Sequence, residues 1–256
     1  MTHMKNDAQL KADEPPVELN FQGKTAFLTL NRPRVGNALS AALVEAIGEA
    51  LDAAFAANAR LIVFRGAGRH LCTGFDLAGL ETQSDGDLLL RFVRIEQLLQ
   101  RIGNSPVTTV AVASGRTYGA GADIFVACDR RIALPGTQFA FPGSGFGIVL
   151  GTGRLAQRIG STAARRVLLD GTPLSVESAL ELGLATEICE ERALPDLISG
   201  IARSAERLSL QTVLSLHEVT NRQKDDLDLS ALVRSASAPG LHRRIEAYAA
   251  SVRKVN

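Results

Sequence analysis

Residues 107–129 read VTTVAVASGRTYGAGADIFVACD, an apolar strand followed by a glycine-containing turn and a helix. The run Val107 to Ala113 is aliphatic and β-branched, which is typical of a strand. The turn Gly119-Ala-Gly-Ala-Asp123 opens a helical pattern that continues through Cys128. Because a backbone N–H at a helix N-terminus can point at an oxygen that gains negative charge, this stretch predicts one donor of an anion-stabilising site.

A second glycine-containing turn, Cys72-Thr-Gly-Phe-Asp76, lies about forty-five residues earlier and follows the apolar run Leu61 to Phe64. A tight turn can expose another backbone N–H toward the same carbonyl oxygen. Together the two turns predict an oxyanion hole, which indicates acyl-transfer or enolate chemistry. The alternative interpretation is that the small residues only allow strands and helices to pack closely.

Short apolar runs alternate with helical patterns along most of the chain, and this order predicts an α/β core. After Pro195 the sequence becomes helical and more polar. Strands are expected at Thr25 to Leu30, Leu61 to Phe64, Val107 to Ala113 and Arg131 to Leu134, and helices at Ala41 to Ala57 and Leu88 to Ile102.

Composition excludes several classes of function. The 256 residues are 46% hydrophobic with a net charge of +1, so the chain lacks the basic surface expected of a protein that binds nucleic acid or an anionic membrane. No run approaches the roughly 18 apolar residues of a membrane span. Residues 1–16 are polar and predict a disordered tail without the apolar core of a signal peptide. The three cysteines have no metal-ligand spacing, and we expect a reducing, cytoplasmic setting.

Five markers in order, from about Val17 to Ile188, resemble the crotonase superfamily, also called the enoyl-CoA hydratase/isomerase family. The order and spacing of the five are far more specific than any one of them. The markers are Leu28-Thr-Leu-Asn-Arg-Pro33 with Asn37-Ala-Leu-Ser40, Phe64-Arg-Gly-Ala-Gly68 leading into Leu71-Cys-Thr-Gly-Phe-Asp-Leu77, Ala113-Ser-Gly115 before Gly119-Ala-Gly-Ala-Asp123, Ala127-Cys-Asp129 with Gly136-Thr-Gln-Phe139, and Leu174-Ser-Val-Glu-Ser-Ala179 running to Gly183-Leu184.

The resemblance implies an α/β spiral of repeated ββα units over residues 17–194. It also implies a C-terminal helical segment over residues 195–256 that packs over the active site and forms a homotrimer or a dimer of trimers. The implied partner is an acyl-CoA or acyl-carrier-protein thioester. Coenzyme A enters only as part of that substrate, and no metal, other cofactor, nucleic acid or membrane is implied.

The resemblance also assigns roles to three residues. The N–H groups of Phe75 and Ala120 are implied to form the oxyanion hole, and Asp123 occupies the position of the first catalytic carboxylate. Asp123 follows Ala120 by three residues, so its side chain projects toward the same helix face. The alternative is that Asp123 only complements the helix dipole.

Further positions match substrate contacts of the family. Arg34 matches a loop that approaches the nucleotide of coenzyme A, so it is a candidate phosphate contact or else a solvated turn residue. His70, close to the first turn, is expected to have a surface role in a loop and not a catalytic one. The positions matched to substrate binding are Arg34, Ala38, Leu39, Cys72, Gly74, Asp76, Leu77, Gly119, Pro142, Gly143 and Ser144.

The chain departs from the family pattern at Gly143, where hydratases that resemble it carry their second glutamate. Residues 143–153 contain no carboxylate, and this segment is about three residues shorter than usual. Concerted hydration therefore lacks one of its two acid or base groups. Four interpretations remain open: isomerisation, hydration by a water held by the backbone and Ser144, carbon–carbon cleavage of a β-dicarbonyl, and acyl-thioester binding without catalysis.

A remote alternative is an NAD-dependent oxidoreductase. The stretch Gly151-Thr-Gly-Arg-Leu-Ala156 matches G-x-G-x-x-A, and Asp170 follows Gly151 by nineteen residues. The preceding apolar run is only three residues long, however, and Gly160-Ser161 interrupts the helix that would hold the pyrophosphate. Residues 162–169 also fit a helix better than the second strand that a dinucleotide-binding unit requires.

Overall fold

The computed structural model describes residues 15–220 and 225–253 of the chain, so most of the predicted N-terminal tail lies outside the described residues. Among the described residues, nine strands form a six-stranded sheet in the order β1-β2-β3-β4-β6-β9 and a three-stranded sheet in the order β5-β7-β8. In chain order the strands are β1 (Val17–Gln22), β2 (Thr25–Leu30), β3 (Leu61–Gly66), β4 (Thr108–Ala113), β5 (Arg116–Tyr118), β6 (Arg130–Ala133), β7 (Gln138–Ala140), β8 (Leu174–Ser175) and β9 (Glu187–Ile188).

Helices connect most of these strands. The sequence of strands and helices confirms the predicted α/β class. The helices of the described residues are α1 (Ala41–Ala56), α2 (Asp85–Gly103), α3 (Ala120–Ala127), α4 (Thr152–Ile159), α5 (Ser161–Asp170), α6 (Val176–Glu181), α7 (Leu194–Glu206), α8 (Leu210–Thr220), α9 (Asp225–Ala236) and α10 (Leu241–Arg253).

The larger sheet is mostly parallel, and its strands are apolar on both faces. Strands β2, β3, β4, β6 and β9 pair in parallel, and β1 pairs antiparallel with β2. Alternate residues of β3 enter two clusters: Ile62 and Phe64 pack with α1 and α2, whereas Leu61 and Val63 pack with α7. Helices on both faces bury the strands, which explains why these runs are continuously apolar.

The predicted helices and strands are confirmed, with small shifts at their ends. Helix α2 begins three residues before the predicted Leu88 because Ser84 caps it. The Ser84 hydroxyl accepts from the Asp87 N–H, and the Asp87 carboxylate accepts from the Ser84 N–H, which is a capping box. Strand β6 begins one residue before the predicted Arg131.

Residues 161–170 form helix α5, directly after α4. A dinucleotide-binding unit would require a strand at this place. The nicotinamide interpretation therefore loses its structural basis, and the Gly151-x-Gly153 pattern needs another explanation.

The C-terminal helices α9 and α10 pack against α2. Leu232 and Ala236 of α9 and Leu241 and Ile245 of α10 form one apolar cluster with residues of α2 that include Phe92. Assembly of residues 195–256 into a trimer stays a prediction. None of the described helices has both the length and the apolar character needed to cross a membrane.

The two glycine-containing turns lie in direct contact. Cys72 forms a parallel bridge with Thr117, and the Tyr118 N–H donates to the Cys72 carbonyl at 3.0 Å. Gly121, in the first turn of α3, faces the same residue: a Cβ added there would lie 2.3 Å from the Cys72 carbonyl oxygen. Only glycine permits this separation of the two backbones.

This contact makes Gly121→Ala a test of the packing. We expect the added methyl group to cost about 1–3 kcal/mol in the free energy of unfolding, because it overpacks rigid backbone. Gly103→Ala is the matched control, since its Cβ would meet nothing closer than 3.9 Å and lies in a helix as well. Urea unfolding of both variants measures the difference, and equal stabilities would contradict the contact.

Candidate functional site

A cavity of about 1160 Å³ lies where the two turns meet the segment Pro142–Phe146, α5 and α10. Ligand pockets commonly span about 300–1,000 Å³, so this cavity has room for a large ligand. The predicted site residues that line it are Gly74, Phe75, Leu77, Gly119, Ala120, Asp123, Pro142, Gly143 and Ser144.

The first turn leaves the Phe75 N–H without an acceptor. Leu39 pairs with Phe75 in a parallel bridge, in which the Leu39 N–H donates to the Gly74 carbonyl at 2.7 Å and the Asp76 N–H donates to the Leu39 carbonyl at 3.2 Å. In such a bridge the N–H of the central residue points away from its partner strand. Within the described part of the chain, no group accepts a hydrogen bond from it.

Two arginines hold this turn in place. The Arg91 guanidinium lies 3.9 Å from the centre of the Phe75 ring and donates to the carbonyl oxygens of Asp76, at 2.8 Å, and Leu39, at 3.3 Å. The Arg32 guanidinium donates to the Asp76 carboxylate at 2.8 Å. A cation over an aromatic ring, combined with hydrogen bonds to the adjacent backbone, restricts both the ring and the peptide plane.

The second turn presents another N–H of the same kind. Gly119 has φ 51° and ψ −129°, a conformation that L side chains rarely adopt, and α3 starts at the next residue. The Ala120 N–H is among the first of the helix, where no intrahelical acceptor exists, and no other described residue accepts from it. A Cβ on Gly119 would lie 3.7 Å from the Gly74 Cα, so the two turns are neighbours.

Asp123 lies one helical turn further on and lines the cavity, although only 4% of it is exposed. Its Oδ1 has no hydrogen-bond partner among the described residues. Burial raises the pKa of this carboxyl well above its usual range; Arg154 opposes the rise, and Glu96 and Asp228 add to it. The site therefore holds a carboxyl group whose proton is retained more strongly than in water.

Gly151 explains how this carboxyl fits. A Cβ at Gly151, which has φ +62°, would lie 2.2 Å from the Asp123 Oδ1. The glycine that begins the apparent nucleotide-binding pattern is therefore required by contact with Asp123. This accounts for the glycine without a bound nucleotide.

A buried ion pair lies near Asp123. Arg154 of α4 donates to both carboxylate oxygens of Glu96 of α2, at 2.5 and 3.0 Å, and Glu96 is fully buried. Asp225 and Asp228 of α9 approach the same guanidinium to 3.8 Å. Removing one member of a buried pair commonly costs about 3–5 kcal/mol. This cluster joins three helices behind the cavity and sets the charge around Asp123.

Several predicted site residues support the site without lining the cavity. Ala38, Leu39, Cys72 and Asp76 lie behind the first turn, and Cys72 packs on Gly121. Burial raises the pKa of the Cys72 thiol to about 12, so the thiol stays protonated near neutral pH. Substrate binding by these four residues stays a prediction.

At the other end of the site, Arg34 is exposed, and its neighbours Val35 and Gly36 line the cavity. His70 also lines the cavity, although the sequence predicted a surface loop role. Its Nδ1 accepts from the Arg116 N–H at 2.9 Å. Burial, together with the charges of Arg69 and Arg116, lowers the pKa of His70, so the ring is neutral near pH 7.

Asp123 is the only carboxylate among the described residues that line the cavity. Residues 143–153 contain no aspartate or glutamate. The Ser144 hydroxyl donates to the Leu168 carbonyl at 2.8 Å, so its proton is already committed. Across the described positions, no group of three or more histidine, cysteine, aspartate or glutamate side chains is arranged to hold a metal ion.

Sequence reasoning missed three aromatic side chains that line the cavity. Phe92, Phe146 and Tyr248 join Phe75 there. Phe92 lies within the helix predicted from Leu88 to Ile102, but helix prediction gives it no role at a cavity. Nothing in the sequence places Tyr248 near a turn more than a hundred residues earlier. Arg91, which holds the first turn, gave no sequence signal either, because it lies on a polar helix position.

The comparisons with known proteins agree with one family. A family model described as enoyl-CoA hydratase/isomerase matches residues 20–238. A Danio rerio relative, "Enoyl-CoA hydratase domain-containing protein 3, mitochondrial", is 31% identical over 227 residues, which cover 86% of this chain and 78% of that protein. A trans-2-decenoyl-[acyl-carrier-protein] isomerase of Streptococcus mutans is 29% identical over 78% of this chain and 79% of its own length.

Coverage is lower for a relative from Mycobacterium tuberculosis that carries the name of an enoyl-CoA hydratase. It is 34% identical over 164 residues, and the match spans 63% of this chain and 65% of that relative. Among solved structures, one from Bordetella parapertussis described as an enoyl-CoA hydratase/isomerase has a TM-score of 0.90 and 43% identity over 93% of this chain and 99% of its own. The predicted fold is thereby confirmed.

Replacing Asp123 with asparagine tests the state of the buried carboxyl. Because its folded pKa lies above the unfolded value of 3.8, the folded protein binds the proton more tightly, and wild-type stability falls as pH rises between the two values. We expect Asp123→Asn and wild type to have similar free energies of unfolding at about pH 4. Above that pH, the free energy of unfolding of the variant should exceed that of wild type by about 1.4 kcal/mol more for each pH unit, until the folded pKa is reached. Urea unfolding at a series of pH values measures this gap. A difference in free energy of unfolding that stays constant with pH would contradict the raised pKa of Asp123.

Proposed function

The chain belongs to the enoyl-CoA hydratase/isomerase family, and from this premise we propose that it binds an acyl thioester and stabilises the enolate of that thioester. The N–H groups of Phe75 and Ala120 bind the thioester oxygen, and Asp123 moves the proton. The observation that carries the proposal is the pair of adjacent turns at the cavity beside one buried carboxyl. Each turn has an N–H for which the described residues offer no acceptor.

The two N–H groups supply electrostatic stabilisation. When a proton leaves the carbon next to the thioester carbonyl, the bonding electrons move onto the carbonyl oxygen. Fixed backbone donors stabilise that oxygen more as its charge grows, and they do not need to reorient. Arg91 and Arg32 support this role because they fix the peptide that carries the Phe75 N–H.

A single carboxylate favours allylic isomerisation among the reactions of the family. Ionised Asp123 takes a proton from C2 of a 3-enoyl thioester, and the electrons pass to the thioester oxygen. Protonated Asp123 then returns the proton to C4, the double bond moves to C2–C3, and the carboxylate is restored. One group suffices because it acts first as base and then as acid.

Hydration is less well supported. It needs one group to activate water and another to protonate C2, whereas Gly143 supplies no carboxylate and the Ser144 hydroxyl is bonded to Leu168. The carrier of the acyl group is either coenzyme A or an acyl-carrier protein. Val35 and Gly36 at the cavity, with Arg34 beside them, give the phosphates of such a carrier a place to bind.

Ala120→Pro tests the oxyanion role. Proline is tolerated at the first position of a helix and removes the N–H. We expect isomerisation of 3-hexenoyl-CoA, followed by absorbance of the conjugated product, to fall by about 10²–10³. Ala120→Gly keeps the N–H and serves as the control, with turnover close to wild type. If the folded proline variant is as active as the glycine variant, the oxyanion assignment is wrong.

Asp123→Asn tests the acid and base role and separates an enzyme from a binding protein. The amide cannot carry the proton, so we expect turnover to fall by about 10²–10⁴ while acyl-CoA binding persists. Because the ionised form is the base, wild-type kcat/KM should rise with pH through the raised pKa of Asp123. Exchange of the C2 protons of a saturated acyl-CoA with D₂O, followed by mass spectrometry, measures the same step. Exchange that survives in the variant would contradict the role.

A further inference from the structure

Four aromatic rings form a continuous wall of the cavity. The rings of Phe75 and Phe92 stack at 4.5 Å and 14°, Phe92 and Phe146 lie 6.5 Å apart, and Phe146 and Tyr248 lie 5.1 Å apart. All four line the cavity. We name Phe75, Phe92, Phe146 and Tyr248 the aromatic wall.

The wall starts at the reacting end of the site. Phe75 carries the N–H assigned to the oxyanion hole, so its ring lies beside the position of the thioester. Phe92 is 2% exposed, and its ring contacts the rings of both Phe75 and Phe146. Phe75, Phe146 and Tyr248 are only partly buried. Arg91 and Phe92 cover the two faces of the Phe75 ring, so Phe75 offers its edge to an acyl group, whereas Phe146 and Tyr248 present ring surface.

The far end of the wall is fixed as firmly as its start. Arg244 of α10 donates to the carbonyl oxygens of Phe146, at 2.8 Å, and Gly147, at 3.2 Å, which holds the helix against the segment Pro142–Phe146. Gly145 faces the Tyr248 ring, and a Cβ there would lie 3.6 Å from it. The rings are therefore positioned before any ligand binds, which lowers the entropy lost on binding.

We propose that the acyl group of the substrate carries an aromatic ring that packs against the aromatic wall. This inference rests on the proposed function, because it takes the thioester to lie between Phe75 and Ala120. An aryl ring prefers offset-stacked or edge-to-face contact with other rings, and such a pair is stabilised beyond its buried area. The lining also includes the apolar side chains of Ile148, Leu168 and Ile245, which accept the rest of the acyl group.

The test compares 3-phenylpropanoyl-CoA with 3-cyclohexylpropanoyl-CoA. The two thioesters have the same carbon skeleton, and the non-planar cyclohexyl ring carries six more hydrogens, so tighter binding of the phenyl compound cannot come from a larger apolar volume. We expect isothermal titration calorimetry to give a Kd about three- to tenfold lower for the phenyl compound, as one or two aromatic pairs would supply. Equal affinities, or tighter binding of the cyclohexyl compound, would overturn the inference.

Two ring-removing variants and one control locate the preference. Phe146→Leu and Tyr248→Leu keep apolar bulk and should each lower the ratio of the two dissociation constants, whereas Tyr248→Phe keeps the ring and should leave the ratio unchanged. Two variants in different elements guard against the failure of one to fold, which circular dichroism reports. An unchanged ratio in both folded leucine variants would place the preference elsewhere and overturn the role of the wall.

Proton exchange separates this inference from the proposed function. If both thioesters exchange their C2 protons in D₂O but bind equally, the proposed enzymatic function is supported and the aromatic preference is wrong. If the phenyl compound binds preferentially but neither exchanges, the aromatic preference stands and the proposed chemistry is wrong. If neither thioester binds, both are wrong.

Discussion

The site depends on one close approach of two backbones. Gly121 must lie against the carbonyl of Cys72 for the two turns to meet, and that contact leaves no space for a side chain. The first turn follows β3 of the larger sheet and the second follows β5 of the smaller sheet. Their N–H groups can therefore share one oxygen only if the strands behind them keep their register. The parallel pairing of β3 with β4 and the bridge of Cys72 to Thr117 maintain that register.

Burial determines the charge state of Asp123 and the pairing of the charged residues behind the cavity. Among the described residues, Asp123 Oδ1 has no hydrogen-bond partner, whereas Arg154 pairs with Glu96 and is approached by two aspartates of α9. An unpaired buried carboxyl normally costs stability unless it stays protonated. A local cost of this kind is common where a residue serves chemistry, because the rest of the fold compensates for it.

Much of the fold and of the candidate site could be predicted from the sequence, because neighbouring residues determine the strands, the turns and the position of the acid. The strands around Leu61 and Val107 and the turns at Gly74 and Gly119 are encoded by neighbouring residues, and so is the position of Asp123 on α3. Contacts between distant elements are not encoded in this way. The approach of Tyr248 to Phe146, and of Arg91 to Phe75, depends on how α10 and α2 pack, which no periodicity of the chain specifies.

The missing second acid is not imposed by the backbone. Gly143 is not among the glycines with positive φ, and a Cβ there would meet the Ile148 carbonyl oxygen at 3.4 Å, an ordinary contact. A side chain could therefore start from this position without strain, in contrast to Gly121 and Gly151. The backbone therefore does not require glycine at position 143. Among the described residues, Asp123 is the one carboxyl that lines the cavity. One carboxyl suffices for the proposed transfer of a proton within a bound acyl group, since both ends of that transfer belong to the same ligand.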